Sequence, residues 1–418
     1  MGMDIMSIRK RAWTTRRGER REAWVVDYVD QRGERHLATF KRKKEADEFS
    51  TTARVQVRDG THTATSQSIT VEEAGKLWLA TCEKNGLERA TLDSYTQHLQ
   101  LHIAPHIGRM KLSQLSAPMI RDFDDKLRAG TLDGDARSHA LTKKILGSLG
   151  AILSDAQERG LVARNVVRDL RTRRRRGVER RAERRQRGKL KVGVDIPSPA
   201  EIRAILAAVE PRWKPLIQTA IFTGLRASEL RGLRWADVDL KAGEIHVRQR
   251  ADRYHTIGKP KTDAGERTVP IGAGMVSLLR EWKLGCPKGA HDLVFPNTDG
   301  NIEWHSNIIS RGLIPTQLAA GVTVPATDEN GVQLRDDEGR PRVKAKYTGL
   351  HALRHFYASW CINREIDGGQ GLPAKVVQER LGHSSITVTL DTYGHLFPRG
   401  DDAAALATAE ERLLKLPA

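Results

Sequence analysis

Between Arg171 and Lys189 the chain reads Arg171-Thr172-Arg173-Arg174-Arg175-Arg176 and later Arg184-Arg185-Gln186-Arg187-Gly188-Lys189, with almost no apolar side chain on the way. Such a stretch cannot bury enough surface to offset the entropy of ordering it. It therefore divides the 418 residues into parts that must each build a core of their own. The expected division is 1–65, a small N-terminal module; 66–170, a helical domain; 171–196, the arginine-rich linker; 197–400, a larger mixed domain; and 401–418, a tail helix.

Lysine and arginine number 70 against 52 aspartates and glutamates, a formal charge of +18. That balance favours a polyanionic partner such as nucleic acid over a small acidic substrate. Arg173, Arg174, Arg175 and Arg176 are DNA-binding candidates, because each phosphate neutralised releases counterions and adds salt-sensitive affinity. Cys82, Cys286 and Cys361 are widely spaced and match no zinc pattern, so they read as buried apolar thiols in a reducing compartment. No apolar run approaches the ~20 residues a membrane-crossing helix needs, which points to a cytoplasmic protein without a membrane partner.

In the first module Ala23 to Val29 alternate, with Trp24, Val26 and Tyr28 on one face, and a turn at Gln31-Arg32-Gly33-Glu34 leads to a second strand ending at Phe40. Lys41, Arg42, Lys43 and Lys44 open a short amphipathic helix through Phe49, a basic cluster suited to nucleic acid. A capping box at Thr70-Val71-Glu72-Glu73 starts the helical domain, with further helices at about 91–104, 117–128 and 138–159. His98, His102 and His106 stand four apart, but Pro105 breaks the helical register between the last two. A metal reading is set aside in favour of DNA-facing or surface histidines. A second capping box, Ser198-Pro199-Ala200-Glu201, opens the larger domain, with helices at 199–209 and 213–222. Glu244 to Arg248 and Arg267 to Pro270 then pair across a long hairpin, and helices return at Val276 to Trp282 and from His351 onward. Residues 322–346 read as a surface insertion of low structural content.

The chemistry gathers in that domain. In Thr223-Gly224-Leu225-Arg226-Ala227-Ser228-Glu229-Leu230, Arg226 and Glu229 are helical neighbours. Lys259-Pro260-Lys261-Thr262 occupies the hairpin turn. His351 and Arg354, three apart, share a helix face and can address one anion, the planar guanidinium gripping two oxygens while the imidazole moves a proton. His355 and Tyr357 are expected to point elsewhere, as packing or DNA-backbone residues. Leu381-Gly382-His383 brings an imidazole to a tight turn, and Tyr393 follows ten residues after His383. A phenol is a weak nucleophile at its free pKa of about 10 and needs cationic neighbours to stabilise charge on what it attacks.

The order of these segments resembles the tyrosine recombinase, or phage-type integrase, family over residues 70–418, with a weaker extension over the first 65. The resemblance implies a multidomain, mainly α fold with small β-sheets: a sheet-plus-helix module like an arm-site binder, a helical-bundle core-site-binding domain and a mixed α+β catalytic domain. It implies catalytic roles for Arg226, Lys261, His351, Arg354, His383 and the nucleophile Tyr393, with Glu229 supporting Arg226 and Lys259 an alternative to Lys261. The implied reaction is DNA strand breakage and rejoining through a 3′-phosphotyrosyl link, with no nucleotide or metal cofactor. Implied partners are double-stranded attachment sites, three further copies of the chain in a homotetramer, and a directionality factor or host DNA-bending protein at the bacterial nucleoid. The N-terminal module and arginine linker favour an integrase of a prophage or genomic island. The alternatives are a chromosome-dimer or transposon resolvase of the same family and a catalytically silent DNA-binding protein with the same fold.

Overall fold

Strand alternation at the N-terminus produces a three-stranded antiparallel sheet, β1 (Met6–Thr14), β2 (Arg20–Val29) and β3 (Arg35–Phe40), with β2 in the centre. Helix α1 (Lys43–Arg58) covers one face, burying Ala46 against Val26 and Tyr28. The sequence predicts β2 and β3 but not β1, whose side chains are mostly exposed and so carry no apolar alternation. Helix α1 also extends nine residues past the expected Phe49, to Arg58. The computed structural model describes residues 6–15, 18–30, 33–58, 68–170, 189–328, 331–398 and 403–415. Residues 1–175 and 176–418 form two compact units.

The rest of the first unit is a helical bundle of α2 (Val71–Lys84), α3 (Arg89–Gln97), α4 (Ala117–Ala129) and α5 (His139–Glu158). The Thr70 hydroxyl accepts from the Glu73 N–H while the Glu73 carboxylate accepts from the Thr70 N–H, closing the capping box that starts α2. Ile145, Leu149, Ile152 and Leu153 of α5 are fully buried against Trp78, Leu99, Ile103 and Phe123. A π-turn at His98–Ile103 follows α3, and the helix resumes at Ala104–Ile107 with Pro105 in its first turn. The extra residue of a π-turn rotates the helical phase. His98 is thereby buried, with Nδ1 2.8 Å from the Ser148 hydroxyl, so it is neither DNA-facing nor at the surface.

In the second unit, α6 (Pro199–Ala208), α7 (Lys214–Thr223) and α8 (Ala227–Gly232) precede a three-stranded antiparallel sheet in which β5 (Glu244–Val247) lies between β4 (Val238–Asp239) and β8 (Arg267–Pro270). The register pairs Val247 with Arg267. A small hairpin, β6 (Arg250–Ala251) and β7 (Ile257–Gly258), extends the β5–β8 connection. Helix α9 (Ala273–Gly285) follows, and a helical run from His305 passes a π-turn into α10 (Ile314–Ala319). Residues 322–346 carry more structure than expected, a hairpin of β9 (Thr323–Pro325) and β10 (Val343–Ala345). Helices α11 (His351–Ile362), α12 (Ala374–Leu381), α13 (Ile386–Tyr393) and α14 (Ala403–Lys415) complete the chain. One core of Ile205, Ile217, Leu230, Ile245, Leu279 and Ala358 binds α6–α9, the sheet and α11 together. Cys82 and Cys361 are buried and Cys286 is half-buried; all three are free thiols. Among the described residues no helix is long and apolar enough to cross a membrane.

Candidate active site

Two left-handed glycines place the site. Gly224 ends α7 at φ +61°, and any Cβ there would run into the Tyr357 ring. Gly382 ends α12 at φ +63°, with the Ala264 carbonyl only 2.8 Å from where a Cβ would stand. Only glycine holds this conformation without strain. The two turns present their carbonyls inward, and the arginines attach to them.

Arg354, 2% exposed on α11, donates Nη1 to the Gly224 carbonyl at 2.6 Å and Nη2 to the Leu381 carbonyl at 2.5 Å. Arg226, at the start of α8, donates Nη2 to the Gly382 carbonyl at 3.0 Å and Nη1 to Glu229 Oε1 at 2.8 Å. The other carboxylate oxygen of Glu229 accepts from the Arg226 backbone N–H at 2.8 Å. A third guanidinium joins them. Arg267 of β8 grips Glu229 with both Nη atoms, at 3.1 and 2.8 Å, and donates Nε to the Arg380 carbonyl at 2.7 Å.

Two of the three guanidiniums, Arg226 and Arg267, thus share one carboxylate, while Arg354 and the remaining donors meet uncharged backbone oxygens that satisfy them without cancelling charge. The electrostatics follow. Burial alone would raise the Glu229 carboxyl, yet Arg267 and then Arg226 hold it down at about 2. Burial, reinforced by Arg226, lowers Arg354 to about 9. His355 and His383 are both pushed down to about 4, first by burial, then by His351 for the one and by Arg354 and Arg226 for the other. His351 is lowered by the same causes, burial ahead of Arg354. All three imidazoles are neutral at pH 7.

Tyr393, at the end of α13, is 1% exposed. Its hydroxyl lies 2.7 Å from His355 Nδ1, and its ring is parallel to the His383 ring at 6.4 Å between centroids. Burial pushes the phenol up to about 12 against the pull of Arg354 and Arg226, so the hydroxyl stays protonated within hydrogen-bonding distance of His355. His383 Nδ1 stands 2.9 Å from the Thr389 hydroxyl, which fixes the ring. The His351 and His355 rings meet edge to face at 4.7 Å.

Arg226, Glu229, His351, Arg354, His383 and Tyr393 therefore come together. Lys261 and Lys259 are both exposed on the segment between β7 and β8, the hairpin turn where the sequence puts them, outside the buried arginine cluster. The expectation that His355 points elsewhere is corrected: it sits one helical turn after His351, on the same face, and meets the tyrosine hydroxyl. Tyr357 does pack, against the Gly224 turn. Sequence reasoning also misses Arg267, legible only as an arginine in a strand. Lys41, Arg42, Lys43 and Lys44 are exposed around the start of α1, with Lys43 over the Trp24 ring at 5.6 Å. Arg173, Arg174, Arg175 and Arg176 lie outside the described residues.

The site thus gathers guanidiniums, neutral imidazoles and a protonated phenol in one buried cluster. Residues 198–399 match the phage integrase family, and residues 70–128 match the N-terminal SAM-like domain of phage integrases. The chain is 26% identical over 375 residues to a XerC-like tyrosine recombinase of Caldanaerobacter subterraneus subsp. tengcongensis, covering 86% of this chain and 87% of that protein. It is 24% identical to the ICEBs1 integrase of Bacillus subtilis over 80% and 81% of the two chains. The fold is that of the Tn1549 transposon integrase solved with transposon right-end DNA, with a TM-score of 0.57, 18% identity and 83% of this chain covered against all of that one. The lambda integrase tetramer on a Holliday junction gives a TM-score of 0.52 at 15% identity, over 90% of this chain and 96% of that one. The chain belongs to the phage integrase family of tyrosine recombinases. Its function is that of a site-specific recombinase of the integrase type.

The neutral histidines and the depressed carboxyl set the pH dependence of stability. His355 and His383 have folded pKa values below the unfolded 6.5, so their contribution is present above pH 6.5 and is lost as pH falls towards about 4. After solvent screening each is worth roughly 1–2 kcal/mol. Glu229 contributes about 3 kcal/mol that survives to pH 4.5 and is lost only as pH falls towards 2. Urea midpoints measured from pH 7.5 to 4 should fall steadily below pH 6.5, and His355→Gln should flatten that fall. Glu229→Gln should cost about 3–5 kcal/mol at pH 7, because it leaves buried guanidiniums without their counter-charge.

Proposed function

We propose that the enzyme cuts and rejoins double-stranded DNA with Tyr393 as nucleophile, and that the pocket of Arg226, His351, Arg354 and His383 binds the scissile phosphate. The observation that carries this is the buried Tyr393 hydroxyl, 2.7 Å from an imidazole and under the charge of Arg354, whose hydrogen bonds go to backbone carbonyls, and of Arg226. The hydroxyl oxygen attacks phosphorus, its proton passes to His355 Nδ1, and the bond to the 5′-oxygen breaks. The product is a 3′-phosphotyrosyl link. Arg226 and Arg354 stabilise the charge that develops on the nonbridging oxygens. His351 and His383, neutral and beside them, donate hydrogen bonds to the same centre. Lys261 protonates the departing 5′-oxygen; its place on an exposed segment suits a group that closes over bound DNA, and Lys259 is two residues away on the same segment. Glu229 and Arg267 hold Arg226 in place.

The DNA-bound state proposed is a homotetramer on paired attachment sites. The Tn1549 and lambda integrase structures, solved with DNA, support the partner, and the lambda tetramer on a Holliday junction supports the assembly. In helix α14, Leu406, Leu413 and Leu414 are 58%, 71% and 85% exposed, an apolar set suited to docking on a neighbouring subunit. The substrate is a mobile element, a prophage or genomic island; relationship to the ICEBs1 integrase supports this over a chromosome-dimer resolvase, while the XerC-like relative keeps the second reading alive. Lys41 to Lys44 and the arginines at 173–176 are proposed to contact phosphates.

A nicked suicide substrate carrying the attachment site should trap a covalent protein–DNA adduct. Tyr393→Phe should abolish it and a chelator should leave it intact; a chelator-sensitive product, or no adduct on the true site, would overturn the reading. His355→Phe should slow adduct formation on the order of 100-fold without weakening DNA binding, the loss expected when a proton acceptor is removed. Deleting residues 401–418 should leave binding to a single half-site intact and reduce assembly on paired sites, as read by light scattering of the complexes.

A further inference from the structure

A second cleft lies at the tip of the β6–β7 hairpin. Its volume is about 340 Å³, and its walls are His255, His291, Asn297, Asn301, Ile302 and Trp304. Among the described residues only two that are not glycine have positive φ, His255 at +62° and Asp292 at +46°. His255 lines the cleft, and Asp292 directly follows a residue that lines it. Strain of this kind persists only where the surroundings impose it, and it collects at binding sites.

The imposition is visible. The Asp252 carboxylate accepts from the backbone N–H groups of Tyr254 and Thr256, at 2.8 and 2.9 Å, and clamps the turn that carries His255. Arg231 anchors the turn from beneath, donating to the Asp252 carbonyl at 3.1 Å and the Glu303 carbonyl at 2.6 Å. The His255 ring then lies 3.9 Å from that of Trp304, and its Nε2 is buried with no hydrogen-bond partner. Burial, and then the charge of Arg231, keep this imidazole neutral at pH 7. Trp304 remains 52% exposed, a large aromatic face left to solvent.

The lining contains aromatic rings and side-chain amides but no carboxylate, lysine or arginine. The charge-free walls exclude a phosphate or a carboxylate as the occupant, and two imidazoles without an acidic ligand make a poor cation site. Asn297 Oδ1 already accepts from the backbone N–H groups of Asp299 and Asn301, so Asn297 offers a donor in its Nδ2 while the Asn301 amide carries both a donor and an acceptor; beside an exposed indole these suit one flat, neutral heterocycle. We propose that this cleft binds a single unstacked nucleobase, stacked on Trp304 and hydrogen-bonded by Asn301 and Asn297. In the DNA-bound enzyme that base would come from an unpaired position in the duplex; a free nucleoside offers the same chemistry.

The test uses the full chain and duplexes of one sequence, either fully paired or carrying one extrahelical 2-aminopurine, with 2-aminopurine riboside as the free-base arm. The unpaired duplex should bind at least about fivefold tighter than the paired one, the smaller end of what one base–aromatic stack contributes, with its fluorescence quenched. Trp304→Ala and Asn301→Ala should each erase that preference while leaving affinity for the paired duplex unchanged, and Trp304→Phe should retain part of it. Saturable quenching of the riboside, lost in Trp304→Ala, without duplex preference would assign the site to a free base. Equal affinity for both duplexes with no riboside binding, or a preference that survives both alanine variants, would overturn the proposal. Because the readout is binding, a Tyr393 adduct formed alongside a failed base preference would sink this inference alone.

Discussion

The bidentate pair between Arg267 and Glu229 is the interaction on which the site depends. Glu229 is buried and charged, and it is held so by two hydrogen bonds from Arg267 and two from Arg226, one of them from its backbone N–H. A charge pair taken out of water is seldom a net source of stability, since desolvation consumes most of the attraction. Its value here is positional. Arg226 belongs to α8, Arg267 to β8 and the Arg380 carbonyl to α12, so one carboxylate fixes three elements that carry the pocket walls. Arg354 is secured differently, by two backbone carbonyls presented at glycine turns. A carbonyl satisfies a donor while leaving the guanidinium charge in force, which is what an anion-binding pocket needs.

Burial first, and then the charge of the guanidiniums, accounts for the protonation states around the cluster. A proton added to His351, His355 or His383 would be buried beside cations, so the imidazoles stay neutral and can accept or donate. For the phenol the two effects oppose each other, and the cost of burying a phenolate exceeds the help from Arg354 and Arg226. In the proposed reaction the incoming phosphate carries the opposite charge into the pocket. It balances the excess of guanidiniums and raises the proton affinity of the imidazole next to the hydroxyl. The substrate thus tunes the base that activates its own attacker.

Local signals made much of this legible. Capping boxes at Thr70 and Ser198 announced two helix starts, and the β5–β8 hairpin followed from its alternating residues. Six site residues were marked by segment order. The failures share a cause, in that each turns on a tertiary contact or a phase shift invisible in local pattern. Strand β1 pairs along its length with β2 but presents almost no apolar face. The spacing of His98 suggests a surface or DNA-facing side chain, whereas the π-turn that begins there brings it into the core beside Ser148. Arg267 becomes meaningful only when β8 meets Glu229 from 38 residues away. His355 differs, since its i,i+4 relation to His351 sets both imidazoles on one helix face from local spacing alone.

Helix α8 spans only Ala227–Gly232, yet its two ends meet two regions of different electrical character, one cationic and one without carboxylate, lysine or arginine in its walls. At its start Arg226 faces the cationic pocket through Glu229 and Gly382. In its last turn the buried Arg231 spends its donors on the Ala251, Asp252 and Glu303 carbonyls beneath the cleft of His255 and Trp304. Gly232 then lets the β6 backbone approach so closely that a Cβ would sit 2.6 Å from the Ala251 nitrogen. One short helix is thus anchored at its start to the arginine cluster and in its last turn to the floor of the cleft, so the same six residues position both.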